Sequence, residues 1–305
     1  MKPVVLVTGC ASGIGLELAR KLYENDEYRV VITARARHLP ALREIFRADD
    51  EFMIRELDVT DDKNIYQLVD EICRSWKRID VIVNNAAVCY RGVIEHMDAE
   101  SEMLQLQTNY LGPLSLVRAV LPIMREQRTG QIINVSSVSG MLAMPTMASY
   151  SASKHALGGA TEALWYEAQP FGIKVNLVDL GFVKSQSFQN VVLAKKAKMS
   201  CAIDGPLSEY YSSMSPFIER LMKLSPTTAE NVAERILHVI RTRPSKLHVS
   251  GTADVAIFAT MKKLIPSRVF NRILYWVLPG SMKWGGKWRQ SSRQRRLAER
   301  ALEPV

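Results

Sequence analysis

Within its first 22 residues the chain commits to a strand, a tight turn and a helix, in that order. Val4-Val5-Leu6-Val7 is a short apolar, β-branched run, the mark of a buried strand. Thr8-Gly9-Cys10-Ala11-Ser12-Gly13-Ile14-Gly15 follows, and Leu16-Glu17-Leu18-Ala19-Arg20-Lys21-Leu22 then has the pattern of a helix. A strand that passes through glycines into a helix aims the helix's free N–H groups at the turn. That setting receives the pyrophosphate of a dinucleotide. Gly9 permits the tight turn, Gly13 lets the backbone approach the phosphates, and Gly15 lets helix and strand pack closely. Glycines in a turn say little alone; the strand before them and the helix after give them weight.

The rest of the chain repeats the alternation. Strands are expected at residues 3–8, 28–33, 52–57, 79–83, 130–135, 173–178 and 246–249, with helices near 13–25, 39–48, 61–75, 101–128, 150–169 and 228–242. Such alternation implies a mostly parallel sheet covered on both faces. Thr227-Thr228-Ala229-Glu230 after Pro226 offers a capping box for the helix at 228–242. A chain of 305 residues can bury one large core of this kind. Cys10, Cys73, Cys89 and Cys201 have neither metal-ligand nor Cys-x-x-Cys spacing and are expected to be reduced thiols in the cytoplasm. Cys10 is expected to fill the turn as a small residue. The first strand begins too close to Met1 for a signal peptide, and no apolar run is long enough to span a membrane.

Tyr150 and Lys154 lie four apart in Tyr150-Ser151-Ala152-Ser153-Lys154, so both side chains reach one helix face. Free tyrosine, with a pKa of about 10, exchanges protons poorly at neutral pH. A nearby ammonium is expected to favour the phenolate and lower that value. A tyrosine tuned in this way trades a proton with an alcohol or ketone oxygen. Ser137 lies thirteen residues upstream, just past the apolar run at 131–135, and can hydrogen-bond the same oxygen. His155 points about 100° around the helix from Lys154 and is read as structural.

The spacing Thr-Gly-x-x-x-Gly-x-Gly at residues 8–15 resembles that of the short-chain dehydrogenase/reductase family. The resemblance extends over about residues 4–250. It rests on Thr8 to Gly15, Asp58-Val59, Asn84-Asn85-Ala86, Asn109, Ser137, and Tyr150 with Lys154, all in order. It implies an α/β fold: a Rossmann-type doubly wound parallel sheet of about seven strands with helices on both faces. A helical substrate-lid segment and a basic C-terminal extension are expected beside it. The expected division is 1–252 for the dinucleotide-binding and catalytic domain and 253–305 for the extension.

The resemblance also assigns roles. Ser137, Tyr150, Lys154 and Asn109 become catalytic, with Asn109 interrupting its helix and holding a water behind Lys154. The implied relay runs from substrate oxygen through Tyr150, a ribose hydroxyl, Lys154 and that water to Asn109. Gly9, Ser12, Gly13, Ile14 and Gly15 cradle the phosphates, Asp58 and Val59 meet the adenine, and Asn85 and Ala86 line the site. Tyr150 and Lys154 also touch the cofactor, and Val183 and Ser185 hold the carboxamide. A homodimer or homotetramer on the helices at 101–128 and 150–169 is implied as well.

Two positions depart from the family pattern. Ala87 stands where glycine is usual, so the turn there must avoid a positive φ. Leu180 stands where proline is usual and is expected to loosen the loop near the nicotinamide.

Cofactor choice is set after the second strand. An acidic residue there would grip a ribose 2′-hydroxyl and repel a 2′-phosphate. Ala34-Arg35-Ala36-Arg37 has none, and Arg35 offers a planar cation suited to phosphate. NADP(H) is therefore favoured over NAD(H), with Arg37 assisting.

The segment at about 186–225 holds Phe188, Val191, Val192, Leu193, Met199, Tyr210, Tyr211, Met214, Phe217 and Met222. These residues line an adaptable apolar pocket or form ordinary core beneath a lid. Ala163-Leu164-Trp165-Tyr166-Glu167 and Pro170-Phe171-Gly172-Ile173-Lys174-Val175 resemble the hydroxysteroid and retinol dehydrogenase branches, which implies a lipophilic alcohol or ketone as substrate. Residues 262–305 carry eleven Lys/Arg against two Glu, the whole net charge of +9. Aromatic and aliphatic residues lie between those cations, and Pro266 and Pro279 break the stretch into short helices. Peripheral contact with a membrane through residues 262–300 and a cover over the substrate pocket both remain open. No recognition motif suggests nucleic acid. Two classes of function stand: an oxidoreductase of lipophilic carbonyls, and a non-catalytic NADP(H)-binding sensor or scaffold that docks through its basic tail.

Overall fold

Every apolar run read above as a strand pairs into one sheet of a computed structural model that describes residues 2–184, 191–202 and 207–286. Its strands are β1 (Val4–Val7), β2 (Arg29–Ala34), β3 (Phe52–Glu56), β4 (Val81–Asn84), β6 (Gly130–Val135), β7 (Ile173–Asp179) and β9 (His248–Ser250). A separate pair joins β5 (Tyr90–Arg91) to β8 (Val192–Leu193). The order in the main sheet is β3-β2-β1-β4-β6-β7-β9, and all its pairings are parallel. The order reverses between β1 and β4. In a doubly wound sheet a ligand crevice opens at that point, beyond the carboxyl ends of the strands.

The helices are α1 (Gly13–Glu24), α2 (Leu39–Ile45), α3 (Asp62–Trp76), α4 (Ala99–Leu106), α5 (Gly112–Gln127) and α6 (Ala148–Ala168). They continue with α7 (Lys195–Ala202), α8 (Ser208–Leu224), α9 (Ala229–Thr242), α10 (Ala253–Leu264) and α11 (Ser267–Val277). The strand pleat sorts the core into two layers. Val5 and Val7 face Leu18 and Leu22 of α1 and Val232 and Ile236 of α9. Val4 and Leu6 face the other way, toward Ile65 and Ile72 of α3, Leu116 and Val120 of α5 and Leu164 of α6. Both faces are dry, which is why β1 reads as an unbroken apolar run.

One local expectation holds and two change. The helix over 101–128 is interrupted at Asn109, by a π turn at Gln107–Leu111. Pro113 has no N–H to give the Asn109 carbonyl, its acceptor in an unbroken helix. Gly112 presses on β3's following loop, where a Cβ would meet the Val59 carbonyl at 2.5 Å. The capping box of α9 is Thr228 with Asn231, one residue later than expected: Asn231 N donates to Thr228 Oγ1 at 3.2 Å and Thr228 N to Asn231 Oδ1 at 3.0 Å. Thr227 stays outside because its carbonyl accepts from Lys184 N at 2.8 Å.

The loop after β7 is pinned where loosening was expected. Leu180 is buried, its carbonyl accepts from Val138 N at 2.6 Å, and its side chain fills the space over Gly251. Gly181 N and Phe182 N donate to Thr252 Oγ1 and Asp254 Oδ2, both at 2.8 Å. Leucine thus gains by burial the fixity that proline would have supplied through its ring.

The prolines of the extension act as expected. Pro266 caps α11, and α11 ends at Val277 before Pro279. Phe270 joins Val138, Leu142 and Val255 in one apolar cluster. Leu278 joins Met147, Met214 and Ile218 in another, against which Tyr150 and Cys89 also pack.

Candidate functional site

A cleft of about 950 Å³ runs along the carboxyl ends of β1, β2, β4, β6 and β7. At one end lies the turn between β1 and α1. Gly9 adopts φ +74°, and a Cβ there would meet the Ala86 backbone at 2.7 Å. Gly15 touches the Gly9 carbonyl so closely that a Cβ would stand 2.3 Å from it. Thr8 and Asn85 lock this turn. Asn85 N and Ala86 N both donate to Thr8 Oγ1 at 3.1 Å, and Asn85 Nδ2 donates to the Thr8 and Gly9 carbonyls at 3.0 and 3.1 Å. Ser12 starts α1 without a side-chain cap, and the first turn of α1 holds no acid. The helix therefore offers its N–H groups and positive pole to an anion in the cleft.

Cys10 faces the core rather than the cleft. It is fully buried, and burial pushes its thiol up to about 12, so it is a packed, unreactive residue, as expected. Ala87 is absent from the residues with positive φ, which agrees with the restriction its methyl imposes.

Arg35 and Arg37 stand exposed at the cleft beyond β2, and His38 lines it with them. Arg37 Nε donates to His38 Nε2 at 3.0 Å. Partial burial, then the two arginines, lowers the His38 pKa. Asp58 and Val59 line the opposite wall. Asp58 Oδ1 accepts from Thr60 N at 2.9 Å and from Thr60 Oγ1 at 2.7 Å.

Ser137, Tyr150 and Lys154 meet on one wall, where β6 ends against α6. Lys154 is buried, and its Nζ donates to the Val135 carbonyl at 2.9 Å. Its ammonium lies 6.0 Å from the Tyr150 ring centroid. Burial pulls the Lys154 pKa down to about 8, opposed by Cys89 and then by Asp179. The phenol of Tyr150 moves up, not down as the sequence suggested. Burial is the first cause and Cys89 the second, while a hydrogen bond with Ser137 opposes them. Desolvation is the leading cause for both groups.

Asn109 sits fully buried in the π turn. Its Oδ1 accepts from Val88 N at 2.8 Å, and its Nδ2 donates to the Val88 carbonyl at 2.9 Å and to Ser153 Oγ at 3.0 Å. Ser153 Oγ donates in turn to the Tyr150 carbonyl at 2.8 Å. The side chain of Asn109 thus ties the loop after β4 to α6. Val183 lines the cleft near Phe182; Ser185 lies outside the described residues, as do Phe188 and the cations from Lys287 onward. His155 bonds the Ser151 carbonyl through Nδ1 at 2.8 Å, a local helix contact.

Sequence reasoning missed several residues of the cleft. Met144, Met147 and Ile218 form its apolar end with Cys89, whose thiol is pushed by burial up to about 12, and with Met222, which the sequence had offered as pocket lining. It also missed Asp179, buried at the end of β7. Leu177 of β7 packs near Gly158 of α6, and the antiparallel course of helix and strand then sets Asp179 by Lys154. His248 on β9 bonds Asp179 Oδ2 through Nδ1 at 2.8 Å, which raises the His248 pKa. The aspartate before Leu180-Gly181 was visible in the sequence, but only the fold brings His248 of β9 and Lys154 of α6 to it.

The short chain dehydrogenase family pattern matches residues 3–196. An uncharacterized oxidoreductase of Bacillus subtilis, YusZ, is 34% identical over 72% of this chain and 78% of its own length. A 3-ketodihydrosphingosine reductase of Bacteroides thetaiotaomicron is 37% identical over 59% of this chain and 64% of its own. Among solved structures, ElxO with NADP bound aligns with a TM-score of 0.65 at 26% identity, over 82% of this chain and 98% of its own.

Proposed function

Because the chain belongs to the short chain dehydrogenase family, and is thus an oxidoreductase of CH–OH groups, we propose that it reduces a lipophilic ketone or aldehyde with NADPH. The observation that carries this reading is the wall on which Ser137 bonds the Tyr150 phenol, with Lys154 buried behind them. That wall separates the turn of Gly9 to Gly15 from an end lined by methionines. The residues fit a bound dinucleotide: a bare helix N-terminus for its pyrophosphate, Asp58 and Val59 for its adenine, and Arg35 with Arg37 for a 2′-phosphate. NADP bound to ElxO supports the same choice.

When bound, the reduced nicotinamide supplies the hydride. The protein's task is the proton and the developing charge on oxygen. Ser137 and Tyr150 hydrogen-bond the carbonyl oxygen, and Tyr150 gives up its proton as charge builds there. A phenol held above its ordinary pKa keeps that proton until the oxygen becomes basic, which suits reduction better than alcohol oxidation. Lys154 keeps two donors beyond the one spent on Val135; these steady the phenolate formed, and one of their protons then passes back along the relay to Tyr150, leaving Lys154 neutral. Pro113 leaves the Asn109 carbonyl without its helical donor, so a water held there reprotonates Lys154 from solvent. Assembly is proposed through α4, the π turn, α5 and α6, where Met103, Leu111 and Tyr166 stand exposed.

The substrate class rests on the apolar end of the cleft. Met144, Met147, Met222 and Ile218 can follow a flexible chain or a fused ring but offer no charge to a polar substrate. The keto lipid named for the Bacteroides relative is of this class. The test is NADPH consumption against steroid, retinoid, long-chain and small carbonyls. Tyr150→Phe is expected to lower turnover by about 10²- to 10⁴-fold with NADPH binding retained. Tight NADPH binding with no turnover on any of them would instead favour a sensor or scaffold.

A further inference from the structure

The C-terminal extension has two apolar sides, and only one is covered. On its inner side Phe270 packs with Val138 and Val255, and Leu278 packs with Met214 and Ile218 beside Tyr150. Trp284 closes the edge: its Nε1 donates to Ser213 Oγ at 3.0 Å and its ring stacks on Tyr210 at 4.8 Å. The extension is therefore a roof over the apolar end of the cleft. Its outer side is the second fact. Val269, Ile273, Trp276 and Val277 follow the spacing i, i+4, i+7, i+8 and form one stripe along α11, exposed by 48, 45, 66 and 63%. Leu264 and Met282 stand out at either end, at 74 and 79%.

Charge decides what such a stripe fits. Residues 255–286 contain no Asp or Glu but carry Lys262, Lys263, Arg268, Arg272 and Lys283. Lys262 bonds the Met141 carbonyl and anchors α10 to the body. Arg268 and Arg272 lie on the flank of the stripe, and the Arg272 guanidinium sits 5.5 Å over the Trp276 ring. Aliphatic residues and a tryptophan at the front, with arginines at the side and no acid, match the boundary between acyl chains and anionic headgroups. No helix among the described residues is long and apolar enough to cross a membrane, so the stripe can only lie along one.

We infer that α11, with the ends of α10 and of the following turn, docks flat on an anionic lipid bilayer and holds the roofed end of the cleft at its surface. Docking stands on the stripe and its arginines alone. A second consequence rests on the proposed lipophilic substrate: the substrate enters from the bilayer, beneath the roof formed by Leu278 and Trp284.

The test is co-sedimentation of the full chain with phosphatidylcholine vesicles, with and without phosphatidylglycerol. Binding is expected to the anionic vesicles and to weaken as salt rises. Ile273→Ser with Trp276→Ser is expected to reduce partitioning about tenfold or more, since the apolar anchor is lost while every cation remains. Arg268→Gln with Arg272→Gln is expected to remove the preference for anionic over neutral vesicles. NADPH binding, unchanged in both variants, verifies the fold. Wild-type binding by the Ile273→Ser, Trp276→Ser variant would overturn the inference, because the basic residues beyond Gly286 would then suffice. So would a chain that ignores vesicles and falls from dimer to monomer on the same substitution, which would give the stripe to a second copy. Vesicle binding by a chain inert toward every carbonyl would uphold docking and sink the substrate reading. Equal turnover of a long-chain ketone by wild type and the Ile273→Ser, Trp276→Ser variant on vesicles would overturn delivery from the bilayer.

Discussion

Lys154 carries the largest electrostatic cost in the site. Its pKa falls from 10.5 to about 8 because burial strips water from the ammonium. Between those values the unfolded chain binds a proton that the native chain has released, so stability rises with pH across that window. Below it both states are charged and the full cost of burial is carried. Lys154→Met should therefore stabilise the protein at pH 7 by up to about 3 kcal/mol, less the lost bond to Val135. The gain should shrink to about a quarter by pH 10, and thermal melts at both pH values check it. Turnover should be lost at both. A buried charge kept at such cost is a frequent mark of function. Arg35 differs because it is exposed and its cost is small. Arg35→Ser should weaken NADPH binding about ten- to a hundredfold and leave NADH binding nearly unchanged, as titration of each nucleotide would measure. The named residues were legible in sequence because their spacing is local, four residues for Tyr150 and Lys154. The direction of the Tyr150 shift was not, since it depends on how much water the folded cleft excludes.

At the scale of elements, strands were legible because a sheet buried on both faces demands continuous apolar runs. The two-residue strands β5 and β8 were not, since so short a pair has no pattern of its own. Leu180 shows the same limit. Proline at its position is a local signal, while the fit of leucine over Gly251 joins β7 to the turn after β9. Gly251→Ala tests that fit. A Cβ there would stand 2.3 Å from Leu180 Cδ2 and 3.1 Å from the Asp179 carbonyl. The expected cost is about 1–3 kcal/mol in urea unfolding, with a rise in KM as the loop carrying Val183 shifts. A change under half a kilocalorie would mean that Leu180 swings aside freely and that the loop is looser than its hydrogen bonds suggest.

Across the whole molecule, the extension and the catalytic wall share one apolar cluster. The sequence left cover and membrane contact as rivals because it shows the composition of residues 262–286 but not which side is buried. The fold buries one side against the body and leaves the other exposed. Leu278→Ala should cost about 2–4 kcal/mol by leaving a cavity under the roof, and should raise KM for the bulkiest substrates more than for small ones. Equal KM changes for all substrates would separate the roof from substrate binding. The same long reach shapes the other end of the cleft. The turn of Gly9 to Gly15 is fastened by Thr8 to Asn85, partners 77 residues apart. At synthesis rates of about 5–20 residues per second, the segment made first waits about 4–15 s for the one that gives it shape. The phosphate turn is thus made before the segment that fastens it and is late in the fold. A nascent chain stalled before β4 emerges should have no affinity for the nucleotide, however complete its glycine motif.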